Sequence, residues 1–201
     1  MTLIVKDTSY RVDFTFALTV TLMLIFCDES TVVICLLSSV LHEAGHLVFM
    51  KAFHQRVTEV TFGAFGVRIN RISASAISYK KEAVIALGGI AVNFLISFAS
   101  GAYYFVTESN FALLLTGVNI FIALFNMIPI DTLDIGRVLR YTLLCLYDEN
   151  KCDKIVFIVS AVSVNLLAVM CIVYTISFAV NPSLIAATVY LYVITLFKKW
   201  S

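Results

Sequence analysis

The chain has 201 residues, 61% of them hydrophobic and 13% charged, with a mean hydropathy of +0.97. A water-soluble domain of this length needs far more polar surface, so the composition points to a polytopic membrane protein. The net charge of +1 argues against nucleic acid as a partner, and nothing resembles a linker or repeat, so one membrane-embedded domain is expected over residues 1–201.

In chain order, the first apolar segment covers about residues 12–27. No small-residue cleavage site follows it, so it reads as a retained, short first span rather than a signal peptide. A second segment, 31–53, contains His42, Glu43 and His46 within its apolar run. Residues 57–69, VTEVTFGAFGVRI, break the helical pattern. They are rich in β-branched and aromatic residues and interrupted by Gly63 and Gly66, which suggests short strands with a turn or bulge. This stretch is either a cytoplasmic hairpin or a segment dipping into the membrane under protein cover. Apolar segments follow at 83–106, 111–128, 155–180 and 183–197, with Pro129 and a shorter stretch, 135–147, between the second and third of these. Each long segment reaches about 30 Å at about 1.5 Å per residue. The expected fold class is an all-α polytopic membrane protein with about six transmembrane helices and a short β-like, membrane-associated segment at 57–69. The five cysteines form no C-x-x-C pair and read as small buried hydrophobes.

All 14 lysines and arginines fall at the termini or in alternate connections, and the intervening connections carry none. The positive-inside rule then places both termini in the cytoplasm of a multi-pass protein, with Lys80-Lys81 and Lys198-Lys199-Trp200 as interfacial anchors.

The segment LHEAGHLVFM, Leu41 to Met50, contains His42, Glu43 and His46 as H-E-x-x-H. On a helix, positions i and i+4 share a face about 6 Å apart, so both imidazoles can meet one zinc ion at about 2.0–2.1 Å. Glu43 is then placed to take a proton from water at the site. The bland alternative is a pair of core histidines bonded to neighbouring helices, but ionisable residues within a span are expensive and usually functional. Zinc needs a third protein ligand. His54 does not fit the spacing and reads as a surface residue. Asp131 and Asp134, in NMIPIDTLDIGRVLR, are the candidates, against an alternative of helix N-capping after Pro129; pattern alone does not choose between them.

His42-Glu43-Ala44-Gly45-His46, then Gly88-Gly89-Ile90-Ala91-Val92-Asn93, then Asn126-Met127-Ile128-Pro129 followed by Leu133-Asp134-Ile135-Gly136, together resemble the site-2 protease family, and more narrowly its small bacterial branch that includes the sporulation factor IV FB protease. The resemblance covers about residues 12–146. It implies a bacterial cytoplasmic-membrane zinc metalloprotease with a three-helix catalytic core, in which Glu43 is catalytic and His42, His46 and Asp134 hold one zinc ion. Ile135 departs from the usual paired glycines. Neither a PDZ nor a CBS domain accompanies the core, so regulation of that kind is absent or supplied by a membrane partner. The implied reaction is regulated intramembrane proteolysis, with a transmembrane protein as substrate and sporulation as one setting. Asn93 and Asn126 are candidate oxyanion donors, each with an interhelical hydrogen bond as the alternative. The strand-like segment, at Thr61, Phe62, Gly63, Phe65 and Gly66, offers an edge to which an extended substrate could add. The competing functions are a metal-ion transporter using the same ligands, which would not need Glu43, and an inactive homologue that binds helices.

Overall fold

The computed structural model describes residues 2–5, 8–26, 28–63, 66–72, 77–177 and 182–197. The chain divides into two compact units, residues 1–124 and 125–201. Phe65 and the proposed anchor Lys198-Lys199-Trp200 lie outside the described residues.

The first unit contains β1 (Thr2–Val5), β2 (Thr8–Val12), α1 (Phe14–Phe26), α2 (Glu29–Ala52), β3 (Arg56–Gly63), β4 (Gly66–Ile72), α3 (Tyr79–Thr107) and nearly all of α4 (Asn110–Asn126). Helix α2 starts where Asp28 caps it. The Asp28 carboxylate accepts from the Thr31 hydroxyl at 2.7 Å and from the Thr31 main-chain N–H at 2.9 Å. These bonds hold the Asp28 carboxyl below its usual range. Their contribution to stability is therefore present above the ordinary carboxylate pKa and is lost as pH falls through the lowered one. At its other end α2 stops at Phe53, and exposed His54 takes a left-handed φ of 57° that turns the chain into β3.

The strands form one mixed sheet in the order β1-β2-β3-β4. Strands β1 and β2 are an antiparallel hairpin, β2 and β3 run parallel, and β3 and β4 are antiparallel with an irregularity between Val57 and Glu59. The short strands expected at 57–69 correspond to β3 and β4. An all-α class with one β-like segment understates the sheet, because residues 2–12 supply two further strands. The runs Thr2-Leu-Ile-Val and Thr8-Ser-Tyr-Arg-Val are too short to declare themselves in the sequence, and β2 gains its second partner from a strand far along the chain.

Helices α2 and α3 cross at glycines. A Cβ on Gly45 would collide with the Gly88 carbonyl oxygen and lie 2.9 Å from Val92 Cγ2. A Cβ on Gly88 would lie 2.7 Å from the Gly45 carbonyl oxygen. Small residues thus let the two backbones touch. Gly117 on α4 is different, since a Cβ there meets nothing within 4 Å. Gly117→Ala should be tolerated and should stabilise by about 0.5–1 kcal/mol through helix propensity. The detergent unfolding midpoint is the check, and a clear fall in it would contradict the open space.

The second unit begins at Phe125. Pro129 follows the end of α4, and the chain then enters α5 (Asp134–Leu144), α6 (Glu149–Ser177) and α7 (Pro182–Phe197). Its core is Ile130, Val164 and Leu191, with Phe125, Ile128, Leu133, Leu167 and Tyr190 packed around them. Gly136 is required here, because a Cβ would strike the Ile130 carbonyl. Ile135, beside it, is half-buried. The apolar stretch 135–147 forms the short α5, which leaves Arg137 and Thr142 exposed.

Among the described residues, α2, α3 and α6 are long and apolar enough to cross a membrane. Three shorter apolar helices lie at Phe16–Ile25, Asn110–Asn126 and Leu184–Thr195.

Candidate metal centre

Helix α2 places His42 and His46 one turn apart, both 5% exposed. Their Nε2 atoms lie 3.3 Å from one another, with the rings nearly perpendicular at 86°. Each Nδ1 has its own partner on α3. His46 Nδ1 lies 2.8 Å from the Ile85 carbonyl oxygen, and His42 Nδ1 lies 2.7 Å from Asn93 Oδ1. A carbonyl oxygen only accepts, so each Nδ1 carries its ring proton and donates. Each Nε2 then turns a lone pair toward the same point. Two lone pairs at this distance repel unless a cation lies between them. Two nitrogens bound tetrahedrally at about 2.0–2.1 Å from zinc stand about 3.3–3.4 Å apart, so the pair fits that ion without adjustment. Outer hydrogen bonds of this kind are what ordinarily fix the tautomer of a metal-binding histidine.

Gly89 leaves the space in which these nitrogens sit. A Cβ there would lie 2.6 Å from His42 Cε1, His42 Nε2 and His46 Nε2 alike. Glu43, next to His42 on α2, is half-buried.

Asn93 is fully buried, and both ends of its amide are engaged: Oδ1 by His42, and Nδ2 as donor to Asn119 Oδ1 at 3.0 Å. Both are hydrogen bonds between helices. Asn126 is half-buried at the end of α4. Thr61 and Phe62 stand on β3 with neighbours on both sides: Arg11 and Val12 on β2, and Arg68 and Val67 on β4. Gly63 and Gly66 pair at the end of β3 and the start of β4. Among the described residues, the edge strand on this side of the sheet is β4.

In the second unit, Asp131 and Asp134 have different surroundings. The Asp131 carboxylate lies 3.7 Å from Arg140, which also binds Asp153 at 2.8 Å, and the Asp131 N–H donates to Ser160 Oγ at 3.0 Å. Asp134 opens α5 and is 4% exposed. A carboxylate so buried needs a cation or strong donors.

No family model and no curated protein matches the sequence. Among solved structures, the chain is similar to the site-2 protease from Methanocaldococcus jannaschii at 22% identity and a TM-score of 0.72, over 97% of this chain and 93% of that one. The fold is that of a site-2 protease. The site-2 protease fold here carries the histidine pair on α2 and their supports on α3.

Sequence reading identified both histidines and Asn93 but passed over Asn119 and Ser38. Asn119 is a lone amide in the middle of an apolar helix, and Ser38 lies one turn before His42. Those two positions were signal enough, since polar groups inside spans rarely lack a role.

Proposed function

We propose that the protein is an intramembrane zinc metalloprotease of the site-2 protease type, acting on transmembrane protein substrates in a multi-pass membrane chain with about six spans. The observation that carries this reading is the pair of Nε2 atoms 3.3 Å apart, each with its Nδ1 engaged. His42 and His46 would hold the ion with Asp134, and two imidazoles and one carboxylate are a zinc set with a fourth position open. All three residues are buried. The Asp131 carboxylate has Arg140 as a partner, which supports Asp134 as the third ligand. Bound zinc would acidify a water and polarise a scissile carbonyl. Glu43 would act as general base and return the proton to the leaving amine. A helical substrate hides its carbonyls and must unwind before attack. The edge of β4 would receive it as an added strand.

The test is mass spectrometry of new peptide termini in membranes from cells expressing wild type or Glu43→Gln. Termini inside predicted spans that appear with wild type alone are the expected result, with a loss of about 10²–10⁴-fold in the variant. Identical termini in both would overturn the protease reading. Metal transport retained by the variant would favour a transporter.

A further inference from the structure

A hydrogen-bonded relay runs behind His42 through helices α2, α3 and α4. Asn119 on α4 donates from Nδ2 to the Leu115 carbonyl oxygen at 2.8 Å and to Ser38 Oγ at 3.0 Å. Asn119 Oδ1 accepts from Asn93 Nδ2 at 3.0 Å, and Asn93 Oδ1 faces His42 Nδ1 at 2.7 Å. Ser38, Asn93 and Asn119 are each 0% exposed.

The relay has a direction, set at one atom. The Leu115 carbonyl can only accept, so the NH₂ end of Asn119 must face it. The oxygen end of Asn119 is then left for Asn93, which must present its NH₂. The oxygen end of Asn93 is left for His42, whose Nδ1 must carry the proton. Each amide has two orientations of similar shape, and only this order pairs every group. The outcome at the far end is an Nε2 lone pair on His42 aimed at the metal position. Reversing the Asn93 amide would put NH₂ against Nδ1 and move the ring proton to Nε2, which blocks ligation.

We propose that Asn119 is a positioning residue for the metal centre: through Asn93 it sets the tautomer of His42, with its direction fixed by the Leu115 carbonyl. This rests on the zinc reading for its purpose, but the tautomer can be read without the metal.

The experiment uses full-length protein in detergent, labelled with ¹⁵N-histidine. The chain has three histidines, so the metal-free spectrum contains three rings. Wild type should show His42 as the Nδ1–H tautomer. Asn119→Leu, branched at the same carbon but bulkier and without hydrogen bonds, frees the Asn93 amide to turn. It should populate the Nε2–H tautomer and lower zinc affinity roughly 10–100-fold. Adding Asn93→Asp to that variant should restore both the tautomer and most of the zinc affinity, because a carboxylate can only accept from Nδ1. Ser38→Ala should leave both near wild type, because the Leu115 carbonyl still orients Asn119. If Asn119→Leu is too unstable to purify, Asn119→Asp is measured instead. It keeps an acceptor for Asn93 and should retain the Nδ1–H tautomer. Three results would each overturn the proposal: an unchanged tautomer in Asn119→Leu, a rescue that fails in folded double variant, or the Nε2–H form in Asn119→Asp. If wild type binds no zinc yet the tautomers follow this pattern, the relay stands and the metal reading falls.

Discussion

Gly89→Ala should empty the metal site while leaving the protein folded. The added methyl would lie 2.6 Å from three imidazole atoms, two of them the Nε2 donors. Backing α3 away would open the close crossing beside it, where Gly88 meets the backbone of α2, so the side-chain route is the cheaper one. The rings swing instead, and swinging pulls Nδ1 of His42 from Asn93 and Nδ1 of His46 from the Ile85 carbonyl. Donor positions and proton positions are lost together. On the proposed function, zinc affinity should fall roughly 100-fold and hydrolysis should fall with it. Each buried group left without its hydrogen bond costs about 1–3 kcal/mol, so the unfolding midpoint should fall while the transition stays cooperative. Metal analysis of purified protein beside a thermal melt separates the two effects. A Gly89→Ala protein with wild-type zinc content would show that the nitrogens do not meet where they are placed here.

Gly45→Ala should do the reverse of this in its first effect, striking the fold before the chemistry. The methyl would run into the carbonyl of Gly88 and the side chain of Val92. A carbonyl in the facing helix cannot rotate aside, so α2 and α3 must part along their crossing. Overpacking costs about 1–3 kcal/mol where side chains can adjust, and the upper end or more is expected where backbone opposes backbone. The measurement is denaturant unfolding in detergent. Adding Gly88→Ala should then cost less than it does alone, since the helices are already apart. Full additivity, or a Gly45→Ala protein as stable as wild type, would rule out the close crossing.

Much of the site was legible because its chemistry is local. His42, Glu43 and His46 lie within one helical turn and a half, so the spacing alone brings the imidazoles together. Gly45, Gly88 and Gly89 could be read as small residues for helix packing, but which glycine faces backbone and which faces imidazole depends on how α2 and α3 are rotated. Asn93 could be singled out, yet its role depends on a partner 51 residues away on α2 and another on α4. The same holds for the sheet. Residues 57–69 carry enough β-branched and aromatic side chains to declare strands, while β1 and β2 are short and acquire their place by pairing with β3. The apolar segments were plain from composition, but the small turn of sequence at 135–147 forms an amphipathic helix rather than a buried one.

The parallel pairing of β2 with β3 constrains how the chain threads a bilayer. Ser9 to Val12 lie beside Glu59 to Phe62 in one ladder, so both strands occupy the same side of any membrane. The 13–55 stretch that joins them must therefore cross an even number of times. If α2 goes through, α1 has to bring the chain across in the opposite sense. Its 13 residues rise only about 20 Å against a hydrocarbon thickness of about 30 Å. A shortfall of this kind is accommodated by local thinning of the bilayer or by snorkelling of flanking residues, and either makes α1 sensitive to lipid chain length.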